Sequence, residues 1–144
     1  METKNANGGA GFTEYKDGTI QFETTQWSQG YYDNGKIWQT FTLPEGKYEM
    51  RIEVKNAANI GSGSTNIHFA VAQGESLPDN EELEKSDIIL SYLKFESEHT
   101  NKTSALPIFE LTEEKTITVG WVVSFSDICR NIEFKSVRLW SVAE

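Results

Sequence analysis

The sequence is poor in cysteine, proline, histidine and positive charge. Its 144 residues include one cysteine, three prolines and two histidines, and 13 Lys and Arg stand against 22 Asp and Glu. The single cysteine, Cys129, excludes an internal disulfide, so side-chain packing and backbone hydrogen bonds must hold the fold. The formal net charge of -9 would repel a nucleic-acid backbone and an anionic membrane surface. Neither is expected as a partner, and a monomer is expected.

Long apolar runs are also missing. No window approaches the roughly 18 apolar residues of a membrane helix, and the first 18 residues lack the apolar stretch of a signal peptide. The polar, Gly-rich start is typical of a domain excised from a longer protein, so export of a parent protein stays open. No repeat or low-complexity linker divides the chain. We therefore expect one domain over residues 1–144, with an irregular segment over 1–17.

The residues that usually carry chemistry form no recognisable motif. His68 and His99 lie outside any nucleophile or zinc-binding pattern, so the sequence predicts no hydrolytic triad and no zinc site. Both histidines are expected at the surface, because one alternates with apolar neighbours and the other follows a polar stretch. Oxygen-rich stretches at 31–34 and 78–82 lack the EF-hand spacing. No catalytic residue and no cofactor are assigned, with a structural calcium as the open alternative.

Apolar residues at alternate positions predict an all-β fold. The clearest strand is 47–55, where Tyr48, Met50, Ile52 and Val54 alternate with charged residues, so that one face is core and the other is solvated. Turn signals recur every 8 to 15 residues or so, a spacing typical of an antiparallel β-sandwich or jelly roll. About eight half-buried strands are predicted, the others being 19–25, 36–43, 66–73, 87–95, 106–111, 116–125 and 132–142.

A turn signal separates two of these strands. Residues 43–46 read Leu-Pro-Glu-Gly, with Pro and Gly at the second and fourth positions of a β-turn, so strands 36–43 and 47–55 are expected to form a hairpin. The acidic stretch 77–86 predicts a short helical turn. Trp121 shares a face with four apolar residues and is assigned to the core.

The last predicted strand, 132–142, changes the phase of its alternation. The apolar residues of its second half have the opposite parity to those of its first half. They share one face only if an extra residue is inserted near Lys135 or Ser136, which predicts a β-bulge. Trp140 lies beyond this shift, so the sequence leaves open whether it packs against the N-terminal segment or is exposed.

Aromatic rings cluster with amide and carboxylate groups in residues 26–35, QWSQGYYDNG, which are predicted to form a loop. Pyranose rings stack their apolar faces on aromatic planes, while their hydroxyls pair with amides and carboxylates. Trp38 has the opposite parity to its apolar neighbours and is expected on the outward face beside this loop. A packing role for any one of these rings stays open. The predicted carbohydrate-binding residues are Trp27, Tyr31, Tyr32 and Trp38 for stacking, with Asp33 and Asn34 as hydroxyl partners.

Residues 34–48, NGKIWQTFTLPEGKY, resemble a hairpin of galactose-binding-domain-like sandwiches found in exported Bacteroidetes proteins, many of unassigned function. Residues 69–74 and 132–142 resemble the matching middle and last strands. The resemblance implies a jelly roll of eight or nine strands, often an accessory module of surface lipoproteins or glycoside hydrolases, at the cell surface or in the periplasm. It also implies binding by loops at one end of the sandwich. It identifies no individual sugar contact, because the matching stretch is a folding motif.

Three classes of function follow. The leading hypothesis is a non-catalytic carbohydrate-binding or accessory domain of a larger exported glycan-utilisation protein, with a polysaccharide or oligosaccharide as partner. The first alternative is a structural or protein-interaction module without a sugar site. The second is a small polysaccharide hydrolase or lyase, which would need paired carboxylates in a cleft.

Exchanging two of the predicted stacking residues tests the first hypothesis. Trp27→Ala combined with Tyr32→Ala is expected to abolish glycan binding, measured by isothermal titration calorimetry, because the ring planes are removed. Circular dichroism of the double variant should match that of the parent domain. An unchanged affinity would remove these rings from the binding site.

Overall fold

The computed structural model describes most of the chain, and the account below concerns that part. The described residues are 6–7, 11–14, 20–23, 31–57, 65–125 and 131–142; side chains are described for 34–57, 66–96, 98–125 and 132–142.

The described residues form eleven strands, one short helix and one 3-10 turn. No described helix is long and apolar enough to cross a membrane. The elements are β1 (Ala6–Asn7), β2 (Gly11–Glu14), β3 (Ile20–Glu23), β4 (Tyr31–Leu43), β5 (Gly46–Asn56), β6 (Thr65–Gln73), α1 (Asn80–Leu83), β7 (Ile89–Lys94), the 3-10 turn Ser97–His99, β8 (Lys102–Ala105), β9 (Phe109–Leu111), β10 (Lys115–Phe125) and β11 (Asn131–Ser141).

The strands build two antiparallel sheets packed face to face. The first sheet has the order β1-β4-β10-β6-β7, and the second has the order β2-β3-β11-β5-β8, with β9 also pairing with β5. The predicted all-β, antiparallel sandwich is confirmed. Two details differ from the sequence-based expectation. Residues 1–17, expected to be irregular, contain β1 and β2, and β8 was missed because its four residues carry almost no apolar alternation.

The inner faces of the two sheets enclose one apolar core. Trp121, on β10, is 1% exposed, as predicted from its parity. Its ring stacks on Phe134 of the second sheet at a centroid distance of 4.3 Å and meets Phe69 edge-on at 5.3 Å. Burial of each such side chain stabilises the fold by roughly 1.5 to 3 kcal/mol. These rings join the two sheets through the middle of the sandwich.

The turn at residues 43–46 does not make the predicted hairpin. β4 pairs with β1 and β10 in the first sheet, whereas β5 pairs with β11, β8 and β9 in the second, so the chain crosses from one sheet to the other. Tyr48 stabilises this crossing, because its hydroxyl donates a hydrogen bond of 2.8 Å to the Pro44 carbonyl oxygen. The turn itself was predicted correctly. Turn residues do not distinguish a hairpin from a crossing between two sheets, because the pairing of strands depends on contacts with distant parts of the sequence.

The outer face of the first sheet is covered. Residues 74–88, here called the covering segment, lie across β6 and β10 and contain α1, which confirms the helical turn predicted within 77–86. Both strands were expected to be half-buried, and both are buried on two faces. The reason is that Ala70 and Ala72, at outward positions of β6, are small enough for the covering segment to approach and pack on them with Leu77 and Leu83.

The β-bulge predicted near Lys135 or Ser136 is present. Phe134 pairs with Val54, and Ser136 pairs with Glu53, so Lys135 is inserted between them without a partner in the ladder. Phe134 faces the core, whereas Ser136 is on the outer face of the second sheet. The inserted residue therefore reverses the parity of the second half of β11.

Gly120 provides a test of the packing of β4 on β10. A Cβ at this position would overlap the Ile37 carbonyl oxygen and lie 2.7 Å from Trp38 Cα, both of which belong to rigid backbone. Gly120→Ala is expected to lower the free energy of unfolding by about 3 kcal/mol, measured by urea denaturation. Thr116→Ala, at an exposed position of the same strand, should cost less than about 1 kcal/mol. Equal effects of the two changes would contradict the close approach.

Candidate functional site

The predicted aromatic loop is only partly within the described residues. Tyr31, Tyr32 and Asp33 belong to β4, so the loop predicted over 26–35 ends before Tyr31, and their side chains lie outside the described part. Trp27 lies entirely outside the described residues. Whether these four residues contact sugar therefore stays a prediction.

Asn34 has a structural role that the sequence did not indicate. It adopts a left-handed conformation with φ of 57°. The pairing of β4 with β10 slips at this point, so the Asp33-Asn34-Gly35 turn signal corresponds to a β-bulge inside a continuous strand. Asn34 is 5% exposed, and its Oδ1 accepts a hydrogen bond of 2.6 Å from the Asn80 backbone N–H. The prediction that Asn34 faces solvent as a hydroxyl partner is wrong, because this side chain caps the first turn of α1.

Trp38 lies on the outward face of β4, as its parity predicted. It is half-buried and packs against the apolar cluster that the first sheet forms with the covering segment, which includes Ala70, Leu83 and Val122. Its ring therefore contributes to holding the covering segment, and only part of it is accessible to a ligand.

The covering segment is held by a buried polar network centred on Asn80. The Asn80 side-chain N–H groups donate hydrogen bonds of 2.8 Å to the Asn66 carbonyl oxygen and 2.7 Å to Ser124 Oγ. Asn80 Oδ1 is therefore the acceptor, and His68 Nδ1 donates to it at 2.8 Å. Lys36 adds an ion pair of 2.6 Å with Asp79 at the start of the helix. These contacts satisfy most polar groups beneath the segment.

His68 is fully buried, although it was expected at the surface. Its position on the outward face of β6 was predicted correctly, but the covering segment lies over that face. His68 Nε2 lies 3.4 Å from Glu84 Oε2, and its ring meets the Tyr92 ring edge-on at 5.9 Å. A hydrogen bond between Tyr92 and Glu84, together with the charge of that carboxylate, raises the pKa of the Tyr92 hydroxyl above its ordinary value. The His68 ring is therefore shielded from solvent, whereas Glu84 is exposed and Tyr92 is partly exposed at the edge of the covering segment.

Several strand ends meet at one end of the sandwich. The registers pair Tyr32 with Phe125, Phe125 with Thr65, and Glu23 with Asn131. The segments that join these ends, 24–30, 58–64 and 126–130, lie outside the described residues, as does Cys129. The chain therefore brings the start of β4, which carries Tyr31 and Tyr32, to an end where several connections meet.

Trp140 is the only exposed aromatic residue in the part of the chain whose side chains are described, at 46% exposure. It lies on the outer face of the second sheet, two residues after Arg138, and the Arg51 guanidinium lies over its ring at 5.4 Å from the centroid. The β-bulge at Lys135 decides the alternative that the sequence left open. A shallow depression of about 150 Å³ lies beside the ring; it is lined by Arg51, Glu53, Thr103, Ser136, Arg138 and Trp140, here called the Trp140 face.

The Trp140 face combines an apolar plane with polar groups of several kinds. Ser136 and Thr103 present hydroxyls on either side of Glu53, with which both are paired in the sheet. Ser136 Oγ lies 3.4 Å from Glu53 Oε1. An exposed indole with hydroxyls, a carboxylate and guanidinium groups is the combination that suits a pyranose ring. All these side chains project from strands, so their spacing is fixed by the sheet.

Two other features are less suited to a polar ligand. A cavity of about 380 Å³ lies between the sheets, but its lining is mostly apolar core, including Ile37, Phe69 and Trp121. Among the described residues, no group of three or more His, Cys, Asp or Glu is arranged to hold a metal ion. The Trp140 face is thus the candidate site with the most suitable chemistry in the described part of the chain.

Comparisons with known proteins identify the family. The model of the family described as "Domain of unknown function (DUF5013)" matches residues 1–120, and the chain belongs to this family. A search of curated proteins found no match.

Solved structures share the β-sandwich fold. The chain superposes on the carbohydrate recognition domain of Emp46p with a TM-score of 0.56 and 9% identity, covering 96% of this chain and 89% of that one. For the carbohydrate recognition domain of Emp47p the TM-score is 0.53 and the identity 11%, with coverages of 97% and 90%. For Xylanase10C of Cellvibrio japonicus, in complex with xylopentaose, the values are 0.50 and 14%, covering 97% of this chain but only 27% of the xylanase. The sandwich fold implied by residues 34–48 is confirmed.

Removing the Asn80 side chain tests the polar network. Asn80→Ala would leave His68 Nδ1 and the Asn66 carbonyl oxygen buried without their partner, so the free energy of unfolding is expected to fall by about 3 kcal/mol. Urea denaturation measures the loss, and hydrogen exchange should accelerate in residues 74–88. Glu82→Ala, in the same helical turn but exposed, is the control and should change stability by less than about 0.5 kcal/mol. A loss no larger than that of the control would mean that the network does not hold the segment.

Proposed function

We propose that this domain is a non-catalytic carbohydrate-binding module of a larger exported protein and that it binds through the Trp140 face. The single observation that carries the proposal is the exposed Trp140 ring beside a depression lined by hydroxyl, carboxylate and guanidinium groups. The exposed part of the Trp140 indole contributes no burial energy in the free domain, and a bound ligand could bury it. A ligand with apolar C–H faces and many hydroxyls would cover the ring and also pair with its polar surroundings.

The fold supports the same proposal. Two of the solved structures with TM-scores above 0.5 are carbohydrate recognition domains, and a third similar chain is a xylanase in complex with xylopentaose. Fold likeness at these identities does not carry a function by itself, but it agrees with the chemistry of the Trp140 face. An exported parent protein, at the cell surface or in the periplasm, belongs to this proposal.

A non-catalytic role agrees with the state of the carboxylates on this face. A glycosidase needs an acid and a second carboxylate flanking the bond that is broken, with one pKa raised. Here Glu49 lies 2.6 Å from Arg51, and Glu53 lies 3.9 Å from Lys135. Each carboxylate is thus already engaged in an ion pair with a neighbouring cation, which is not the arrangement of an acid and a second carboxylate flanking a substrate.

A second contact region, at the end of the sandwich where β4 begins, is part of the proposal. Trp27, Tyr31 and Tyr32 would stack on sugar rings, with Asp33 as a hydroxyl partner. Trp38, which was expected beside this loop, lies six positions along β4 from Tyr32, roughly 20 Å away, and is outside this region. The position of Tyr31 and Tyr32 at the start of β4 supports this region. Asn34 is left out because its side chain is occupied by α1.

Trp140→Ala tests the proposed function. Glycan-array screening followed by isothermal titration calorimetry is expected to find a ligand, and the variant should bind it at least about 10-fold more weakly, a loss of about 1.4 kcal/mol. The control is Thr116→Ala, at an exposed position of β10 in the first sheet, away from the Trp140 face. Ligand addition should also change the tryptophan emission of the parent domain and not that of the Trp140 variant.

The possible results separate the sites and the alternatives. Full affinity in Trp140→Ala, combined with lost affinity in the double variant at Trp27 and Tyr32, would move the site to the end of the sandwich. A domain that binds no glycan would favour the structural or protein-interaction module. Cleavage of a polysaccharide by the purified domain would contradict the non-catalytic role.

A further inference from the structure

We infer that the Trp140 face selects an acidic sugar, whose carboxylate or sulfate is bound by Arg138 while its ring stacks on Trp140. This inference rests on the proposed function and names the ligand class for that site. It comes from the excess of positive charge on the Trp140 face, in a protein whose net charge is negative.

Two arginines are direct neighbours across the second sheet. Arg51 on β5 and Arg138 on β11 are partners in the strand register, and both side chains point to the outer face. Like charges directly opposite each other on neighbouring strands are destabilising. An anion bound between the two guanidinium groups would attract both of them and offset their mutual repulsion. The pair is therefore suited to binding an anion.

The surrounding carboxylates leave one of these arginines uncompensated. On β5 and β11, Glu49 lies within 2.6 Å of Arg51, Glu53 within 3.9 Å of Lys135, and Glu133 within 3.7 Å of Lys55. Each carboxylate is thus matched with one cation. Arg138 has no ion-pair partner among the described residues, and it is exposed.

The two arginines have different environments and therefore different roles. The Arg51 guanidinium is fixed by Glu49 and by its contact with the Trp140 ring. Arg138 has no such restraint. A guanidinium presents parallel N–H groups that match the two oxygens of a carboxylate or sulfate, so Arg138 is the group that binds the anion. Arg51 positions the ring and adds positive charge.

The depression has room for a sugar beside these groups. Ala105 faces outward next to Arg51, and its small side chain leaves the space of about 150 Å³ open toward β8. The hydroxyls of Thr103 and Ser136 line the far side. A ring stacked on Trp140 would thus have guanidinium groups along one edge and hydroxyls beyond them.

The net charge of -9 does not prevent this binding. At physiological ionic strength, interactions between exposed charges are screened beyond about 8 Å, so the nearby arginines outweigh acidic residues elsewhere on the molecule. The same net charge disfavours a polymer with a dense row of phosphates. The inference is therefore limited to sugars whose anionic groups are carried on pyranose rings.

Matched pairs of glycans test the inference. Calorimetry would compare pectate, alginate and glucuronoxylan with their carboxyl-reduced forms, and kappa-carrageenan, a sulfated galactan without carboxylates, with its desulfated form. At least one acidic glycan is expected to bind the parent domain 10-fold or more tightly than its neutral counterpart. Comparing the carboxylated glycans with the sulfated glycan shows which of the two anionic groups the domain binds. Binding should weaken as sodium chloride is raised.

Charge-matched variants assign the preference to Arg138. Arg138→Gln is expected to bring the ratio of acidic to neutral affinity close to one, while Arg138→Lys should keep part of it, because an ammonium cannot make the bidentate contact. Lys85→Gln removes the same charge from the covering segment, on the other outer face, and should leave the ratio unchanged. Thermal unfolding of each variant checks that the domain is intact.

Each result has a definite meaning. Equal or tighter binding of the neutral forms, with affinity still lost in Trp140→Ala, would overturn the acidic preference and leave the proposed function standing. A charge preference that survives Arg138→Gln would overturn the role of Arg138. Absence of binding to every acidic and neutral glycan would overturn the proposed function, and this inference with it.

Discussion

The β-bulge at Lys135 is the constraint on which the candidate site depends. Without this extra residue, the parity of Ile132 and Phe134 would continue along β11, and the alternate positions from Ser136 to Trp140 would face the core. A guanidinium and an indole N–H would then need buried partners, at a cost of several kcal/mol. The insertion instead turns Leu139 toward the core, where it is partly buried, leaves Val137 37% exposed beside the cavity between the sheets, and places Arg138 and Trp140 on the outer face. One inserted residue thereby creates the polar face.

The two outer faces of the sandwich differ because one of them is covered. Ala70 and Ala72 at outward positions of β6 let the covering segment approach the first sheet, and Asn80 makes hydrogen bonds to polar groups buried there. The second sheet has arginine and glutamate at the corresponding positions of β5, which favour contact with water. Among the described residues, the outer face of the first sheet is thus closed by the covering segment, whereas the outer face of the second sheet is open to solvent.

The separation of stability from binding follows from this asymmetry. The rings of Trp121, Phe69 and Phe134 join the two sheets, and the Asn80 network holds the covering segment. Neither group of residues lines the Trp140 face. Side chains on that face project from paired strands, so the spacing of their Cα atoms is set by the backbone. Substitutions there can change recognition with little effect on the core, as in other folds that carry varied sites on one scaffold.

The sequence by itself determined the class of fold, most strands, the core position of Trp121 and the bulge in β11, because each follows from local periodicity and parity. Only the tertiary structure decided which strands pair, so the turn at residues 43–46 proved to be a crossing between sheets. It also decided that His68 and Asn34 are buried, because the covering segment that buries them comes from elsewhere in the chain. The juxtaposition of Arg51 and Arg138, 87 positions apart in the sequence, has the same origin. Parity indicates which face a residue occupies, but whether that face is covered, and what lies opposite, depends on long-range pairing that no local pattern contains.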